Sequence, residues 1–169
     1  MGLPRQITTP IDYQVRLARI GDIGAIQTTA RASWTAAYAA ILAPPTLAGY
    51  LARGYGAPAL QATLRARKST FLVAVRGASV LGFCHFGERG RGSEVFQLYV
   101  HPRLWSRGIG RRLLSHAEMR FQVAGARRYG LTVLKGNEQA LLFYADYGFE
   151  RDRKRDSRDE WHLVKTLGP

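Results

Sequence analysis

The chain has 169 residues, an apolar fraction of 46% and a formal net charge of +13. This length suits one folded domain with a substantial core, so we predict a single domain over residues 1–169 with a loose leader at residues 1–12. No apolar run approaches the ~20 residues that span a membrane, the N-terminal residues contain no apolar signal core, and the lone Cys84 excludes a disulfide framework. We therefore expect a cytoplasmic protein with no membrane partner.

Positive charge is concentrated in two segments of the chain. Residues 53–91 and residues 103–128 each contain seven basic residues and one acidic residue. A field of this kind favours anionic partners, which include phosphate groups and nucleic acids. Coding bias can also produce an Arg-rich chain, so whether the charge has a function stays open, and it is a weak argument for nucleic acid binding.

The N-terminal half predicts a strand, a helical region and a hairpin. Periodicity and breakers define these elements. In order, they are a strand at Tyr13–Leu17, a helix beginning at Gly21-Asp22, an Ala-rich helical stretch at Ser33–Leu42 that ends at Pro44-Pro45, a connection at 46–56, a helix at Ala57–Lys68, and strands at Thr70–Val75 and Val80–Phe86 around a Gly77-Ala78 turn.

The C-terminal half alternates strands with helices. The predicted elements are a strand at Glu94–Val100, a helix at Ile109–Ala124, a strand at Ala126–Val133, a helix at 137–148, and strands at Phe149–Arg153 and Glu160–Leu167. The strand–helix–strand unit at 94–133 is long enough for parallel pairing. The whole order predicts an α/β sheet with helices on both faces.

The junction between the strand that ends at Val100 and the helix that begins at Ile109 has the features of a phosphate site. A helix N-terminus offers free N–H groups and a partial positive charge. Gly108 and Gly110 lack a Cβ and allow a ligand to approach the backbone. Fixed positive charge surrounds them on Arg103, Arg107, Arg111 and Arg112. The alternative is a tight turn with a solvated basic face.

The loop differs from two common phosphate motifs and is similar to a third. Arg111-Arg112 stand where a Walker loop needs Lys and Ser or Thr, and Leu113 stands where a dinucleotide fingerprint needs a small residue. Residues 105–110 resemble the acetyl-CoA loop of the GNAT superfamily of N-acetyltransferases, Gln/Arg-x-x-Gly-x-Gly/Ala after a strand ending Val-x-Pro. Val100-His101-Pro102 matches the lead-in and residues 107–110 match the core, while Trp105 departs from the usual first residue.

A second GNAT-like motif follows one strand later. The family commonly carries Asn-x-x-Ala-x-x-(Phe/Leu)-Tyr-x-x-x-Gly-Phe, and this chain has Asn137, Ala140, Phe143, Tyr144, Gly148 and Phe149 in that register. The resemblance covers about residues 93–150; the N-terminal half resembles the family in element order and in its Trp/Tyr-bearing helix. It implies a mixed, largely antiparallel central sheet of about six to seven strands, with helices on both faces and a splayed central strand pair.

The resemblance also implies an acetyl-CoA site without a metal. The pantetheine arm would pair with the strand backbone at Leu98, Tyr99 and Val100, and the pyrophosphate would sit on the amides of Arg107, Gly108, Ile109, Gly110, Arg111 and Arg112. Asn137, Leu141 and Tyr144 share one helix face, and Asn137 would contact the cofactor arm. The Tyr144 phenol is protonated near neutral pH and could protonate the leaving thiolate; the alternative is a core aromatic.

Glu94 is the candidate base that would take a proton from the amine, directly or through water. Its alternative role is an ion-pair partner of the Arg89/Arg91 loop. His101 and His85 are rival bases; we expect His101 to be structural and His85 to be a satisfied core histidine. Two further candidates, Trp34 and Tyr38, lie on the helical region that borders the acceptor cleft in the resembling family. No residue spacing indicates a metal.

These residues predict direct acetyl transfer to a primary amine in a ternary complex. Proximity supplies much of the rate, and backbone amides polarise the thioester carbonyl. Two alternatives stay open, a non-catalytic acyl-CoA-binding domain and a basic nucleic-acid-binding module. The acceptor, a small-molecule amine or a peptide amine, is not specified, although a basic surface disfavours polycations. Family members are often dimers, so a homodimer is also open.

Overall fold

The structure, a computed structural model, describes residues 11–168. Its strands are β1 (Gln14–Leu17), β2 (Ser69–Arg76), β3 (Ser79–Arg89), β4 (Gly92–Val100), β5 (Arg128–Leu134), β6 (Glu150–Arg151) and β7 (Glu160–Thr166). Its α-helices are α1 (Ile23–Tyr38), α2 (Pro44–Tyr55), α3 (Ala57–Arg65), α4 (Ile109–Val123) and α5 (Glu138–Asp146). None of the helices within this range is long and apolar enough to cross a membrane.

The strands form one sheet in the order β1-β2-β3-β4-β5-β7-β6. All neighbouring strands are antiparallel except β4 and β5, which are parallel. Strands β4 and β5 are paired at only two positions, Ser93 with Tyr129 and Glu94 with Gly130. Beyond these residues both strands continue without pairing to each other, so the sheet opens between them. The predicted mixed sheet with a splayed central pair is confirmed.

Each face of the sheet carries its own hydrophobic core. Helices α4 and α5 pack on one face, where Leu113 and Phe121 meet β-strand residues such as Leu131. Helices α1 to α3 cover the other face, where Ile26 and Leu60 contact a second set of strand residues. Strand alternation separates the two sets, and helices on both faces are therefore confirmed.

The predicted connection at residues 46–56 is wrong, because these residues belong to α2. Ala43 is extended, and Pro44 and Pro45 occupy the first turn of the helix. Proline is tolerated there since its missing N–H would have no partner in a first turn. Leu47, Leu51 and Tyr55 recur every four residues and face the core. The segment therefore has the apolar spacing of a helix, although it also contains Gly and Pro residues.

The C-terminal strands are shorter than predicted. Strand β6 has only two residues, and Phe149 precedes it as a buried core residue. The chain leaves the sheet at Asp152, whose side chain accepts a hydrogen bond from the Lys154 N–H and begins a 3₁₀ turn. Gly148 ends α5 as predicted, with φ at +99°. Most of the predicted leader lies outside the described residues, and Ile11 packs against the core.

Candidate active site

The gap between β4 and β5 opens into a cavity of about 640 Å³. Both sequence motifs reach it, one from the start of α4 and the other from α5. The predicted site residues in its lining are Tyr38, Leu98, Tyr99, Val100, Gly108, Ile109, Gly110, Arg111, Asn137 and Tyr144. The fold thus brings together groups that are up to about a hundred positions apart in sequence, which is the arrangement expected of a binding site.

The edge of β4 that borders the gap has exposed backbone groups. Alternate residues of an antiparallel strand point their N–H and C=O to opposite neighbours. The His101 N–H donates to the Leu81 carbonyl on β3 at 2.8 Å, so Leu98 and Val100 turn their backbone groups away from β3. The Val100 carbonyl accepts hydrogen bonds from Ser33 Oγ at 3.0 Å and Trp105 Nε1 at 2.8 Å. Trp105, the residue that differs from the GNAT-like motif, therefore forms a hydrogen bond with the last residue of β4.

The loop before α4 presents a cradle of backbone amides. Gly108 caps the helix with φ at +79°, in the left-handed region that glycine adopts without strain. The Arg112 N–H donates to the Gly108 carbonyl at 3.0 Å. The amides of Gly108, Ile109, Gly110 and Arg111 are the ones without an intrahelical partner. The amide of Arg112, which the sequence placed in the cradle, is therefore already bonded within the helix, while Arg107 in the cradle stays a prediction.

The arginine side chains near this cradle are held by contacts of their own. Arg111 forms an ion pair with Asp146 at the end of α5, and its guanidinium lies 5.5 Å from the centre of the Tyr147 ring. The Arg112 guanidinium lies 5.1 Å from the Tyr13 ring centre. Arg107 and Arg112 are outside the cavity lining. Positive charge therefore surrounds the cradle, while the backbone forms its surface.

Helix α5 supplies one wall of the cavity. Asn137 caps this helix, with its Oδ1 accepting a hydrogen bond from the Ala140 N–H at 3.1 Å, and it also lines the cavity. Leu141 packs into the core instead of lining the cavity, and its neighbour Leu142 takes that place. Phe143, which carried no predicted role, lines the cavity beside Gly110.

Tyr144 is the side chain of this wall that is best suited to donate a proton. It is 8% exposed and lines the cavity. Burial raises the pKa of its phenol well above the ordinary value near 10, with smaller contributions from Cys84 and Tyr38. The group is therefore a neutral O–H donor at physiological pH. Cys84 beneath it is fully buried, and burial raises the pKa of its thiol, so it is not poised as a nucleophile.

A second wall of the cavity is aromatic. Tyr38 of α1 and Tyr99 of β4 line the cavity there, with their hydroxyl oxygens 3.4 Å apart. Trp34 lies behind them, because its ring centre is 4.7 Å from that of Tyr38 and its Nε1 donates to the Tyr55 hydroxyl at 3.2 Å. Of the two predicted wall residues, Tyr38 reaches the cavity and Trp34 supports it from the core.

Glu94 lies at the closed end of the gap and not in the cavity lining. It is 7% exposed, and its Oε2 is 2.8 Å from Arg89 Nε. The pairing between β3 and β4 shifts next to it: His85 pairs with Gln97, and Phe86 pairs with Val95. This bulge leaves Phe96 as an extra residue, and bulges re-aim the side chains around them.

Unpaired polar atoms line the same face of the sheet. Among residues 11–168, His85 Nε2, Gln97 Oε1 and both ring nitrogens of His162 are buried without a hydrogen-bond partner. His85 is therefore not the satisfied core histidine that the sequence predicted. Burial and the nearby Arg89 lower the pKa of His85 to about 4, and burial also lowers the pKa of His162.

The chain is similar to acetyltransferases in sequence and in fold. The model of the acetyltransferase (GNAT) family matches residues 34–149. A spermidine N(1)-acetyltransferase of Thermoplasma acidophilum is 26% identical over 144 residues, which cover 83% of this chain and 89% of that protein.

Solved structures share the fold over nearly the whole chain. The crystal structure of the PaiA N-acetyltransferase from Thermoplasma acidophilum, in complex with coenzyme A, aligns with a TM-score of 0.86 at 23% identity, over 93% of this chain and 100% of that one. An acetyltransferase from Thermus thermophilus aligns with a TM-score of 0.71 at 18% identity, over 94% and 99% of the two chains.

Proposed function

Because the chain belongs to the GNAT family of acetyltransferases, we propose that it is an acetyl-CoA-dependent N-acetyltransferase that acts on a primary amine by direct transfer. The observation that carries this proposal is the meeting of the β4 edge, the α4 amide cradle and the Tyr144 hydroxyl around one cavity. We also propose that the chain works as a single domain.

The residues around the cavity suit a coenzyme A thioester. The unpaired amides of Gly108, Ile109, Gly110 and Arg111 would hold the pyrophosphate. The backbone of Leu98 and the N–H of Val100 would bind the amide groups of the pantetheine arm as an added strand, since the Val100 carbonyl already accepts two hydrogen bonds. Asn137 would border that arm. When bound, acetyl-CoA supplies an activated acetyl thioester. The two strands that open apart give its arm a path through the sheet.

Tyr144 is the proposed general acid. Its phenol is neutral before the reaction because burial raises its pKa. The hydroxyl donates its proton to the sulfur atom as the thiolate leaves, and solvent then returns a proton to the phenolate. Backbone amides near the gap polarise the thioester carbonyl. Most of the rate comes from holding the amine and the thioester in line, so the mechanism requires no acetylated side chain.

Glu94 is the proposed base for the acceptor amine. It lies on β4 at the closed end of the gap, on the face covered by α1 to α3. Because it is outside the cavity lining, it would take the proton through an intervening water. Tyr38 and Tyr99 would form the wall against which the acceptor binds, and Trp34 would hold that wall.

The acceptor is proposed only as a class, a small-molecule amine or a peptide amine. The name of the Thermoplasma acidophilum relative includes spermidine, which supports an amine as the acceptor. The absence of a membrane partner stays a prediction, and nucleic acid remains the less favoured partner. A homodimer stays a prediction.

Release of free thiol from acetyl-CoA, measured over a panel of amines, amino acids, peptides and polyamines, tests the proposal. Acceptor-dependent release is the expected result. Calorimetric binding of coenzyme A without release for any acceptor would favour the non-catalytic acyl-CoA-binding alternative. Failure to bind coenzyme A at all would refute the assignment of the amide cradle.

A further inference from the structure

An arginine of the protein itself is paired with the Glu94 carboxylate, on the face of the sheet where the acceptor is proposed to bind. Arg89 Nε lies 2.8 Å from Glu94 Oε2, and the guanidinium carbon lies 4.9 Å from the centre of the Phe96 ring. A carboxylate beside an aromatic face is a common recognition site for an organic cation. Here a side chain of the protein itself fills that place.

The surroundings of this pair are rich in hydrogen-bond acceptors. Glu94 Oε2 makes no aligned hydrogen bond to any described residue in spite of its close contact with Arg89, and the buried Gln97 Oε1 has no partner either. His85 lies between the Phe71 and Phe96 rings, at 5.5 and 4.9 Å between centres. With its pKa lowered to about 4 it carries no charge near neutral pH. Arg89 contributes the positive charge to this group through its ion pair with Glu94 and its contact with the Phe96 ring.

The side chains around the Arg89–Glu94 pair border the cavity. Phe96 and Gln97 both line the cavity, and Arg89 stacks on the first of them. The bulge on β4 brings these two neighbouring side chains to the same region. Arg89 and Glu94 are themselves outside the cavity lining, behind Phe96 and Gln97. An acceptor whose amine lies between Tyr144 and the water that joins it to Glu94 would therefore extend its other end past Glu94, toward the Arg89 guanidinium.

Arg89 is held in position from the backbone. It is the last residue of β3 and pairs with Gly92 across a two-residue turn, where Gly90 has φ at +61°. Its side chain is 65% exposed, so the charged end meets any ligand that enters from this side. The ion pair with Glu94 and the Phe96 ring are the contacts that orient this side chain.

We propose that Arg89 determines the charge specificity of the acceptor site, so that the acceptor is an amine whose far end is neutral or anionic. This inference rests on the proposed N-acetyltransferase function, and it would set this chain apart from the relative whose name includes spermidine, a polyamine. A diamine would bring a second ammonium group against the guanidinium, or would have to displace it from Glu94. A carboxylate at the same position would instead gain a charge-assisted contact.

Three ligands of equal chain length isolate this effect: pentylamine, 1,5-diaminopentane and 5-aminopentanoate. Their dissociation constants are measured by calorimetry on the complete protein saturated with coenzyme A, in the wild type and in Arg89→Gln, Arg89→Lys and Arg91→Gln. Arg91→Gln is the matched control, because it removes the same charge from the same turn. Melting temperatures verify that each variant is folded.

In the wild type the diamine should bind about tenfold more weakly than pentylamine, and the amino acid at least as tightly as pentylamine. Arg89→Gln should abolish most of the difference between the diamine and pentylamine, whereas Arg89→Lys and Arg91→Gln should retain it. An unchanged ratio in Arg89→Gln, a wild type that prefers the diamine, or no binding of any of the three ligands would each overturn the inference.

Turnover measured with the same three ligands separates the two proposals. Binding that discriminates by charge with no acetylation of any ligand would refute the proposed function and leave the role of Arg89 supported. Acetylation of all three at rates that Arg89→Gln does not reorder, together with an unchanged binding ratio, would refute the role of Arg89 and leave the proposed function supported.

Discussion

The ring of Phe143 on α5 lies against Gly110 on α4 so closely that a Cβ at position 110 would be 3.2 Å from Phe143 Cζ. This contact joins the two GNAT-like motifs directly. The glycine allows this close packing between the helices, in addition to any approach by a ligand. A larger side chain at position 110 would press on Phe143 and so on helix α5, which carries Tyr144.

Replacing Gly110 with Val should therefore weaken coenzyme A binding by about tenfold. The added methyl groups would push Phe143 away and move α5 relative to the amides of α4. Calorimetric dissociation constants for coenzyme A provide the measurement. Gly24→Ala in α1 is the control, because a Cβ there meets no atom within 4 Å.

The double variant Gly110→Val/Phe143→Ala tests whether the contact is the cause. Removing the ring should restore part of the affinity that Gly110→Val loses, so the two changes should not be additive. Additive losses would show that position 110 acts through the ligand alone.

Tyr144→Phe should reduce the rate of acetyl transfer by about a hundredfold while the dissociation constant for coenzyme A stays within about twofold. The phenol proton is lost, but the ring keeps its packing against Phe143 and Phe149, whose centres are 5.2 and 5.3 Å away. Tyr50→Phe is the matched control on an exposed tyrosine. Equal turnover in wild type and Tyr144→Phe would remove this side chain from the chemistry.

Glu94→Gln should lower the rate at pH 7 by about tenfold or more, with recovery as the pH rises. Recovery is expected because the acceptor amine then loses its proton to solvent without a base. A pH–rate profile with saturating acetyl-CoA measures this effect. Glu88→Gln, on the exposed end of β3, is the comparison. A constant ratio to wild type across the profile would indicate a structural role for Glu94.

Acidification from pH 7 to pH 5 should destabilise the fold through His85. Its pKa is lowered to about 4 by burial and by Arg89, from an ordinary value near 6.5. Between these values the unfolded chain binds a proton that the folded chain does not, so stability falls as the pH falls below 6.5. The expected loss from this residue is about 1–2 kcal/mol at pH 5.

Urea unfolding at the two pH values measures that loss. His85→Phe keeps an aromatic ring between Phe71 and Phe96 and removes the titrating group, so its stability should change less with pH than that of the wild type. An identical pH dependence in the two proteins would assign the acid sensitivity to other groups, of which the buried His162 is the first to test.

The local geometry of the proposed cofactor half of the site could be predicted from sequence because it depends on neighbouring residues. Gly108 needs a left-handed backbone, Asn137 caps its own helix and Gly148 ends it. Each of these roles is fixed by a few neighbouring residues. The parallel strand–helix–strand unit follows from its length for the same reason.

The acceptor half could not be predicted in the same way. The sequence left two roles open for Glu94, a base and an ion-pair partner of the Arg89/Arg91 loop, and the structure shows the ion pair with Arg89. The sequence could not choose between them, because the position of Glu94 depends on the register of a hairpin and on a bulge, and neither is encoded by a local pattern. Whether His85 is paired or unpaired depends on strands and rings that come from distant positions. The start of α2 at Pro44-Pro45 was missed because proline, which has no N–H to donate, can both end one helix and occupy the first turn of the next.

The Val100 carbonyl, which accepts hydrogen bonds from both Ser33 and Trp105, has a mechanical consequence. Three segments meet at this one oxygen atom: the helix that walls the acceptor side, the strand that borders the gap, and the loop that leads to the amide cradle. A substitution that displaces the end of β4 would therefore disturb the packing of α1 and the loop before α4 at the same time.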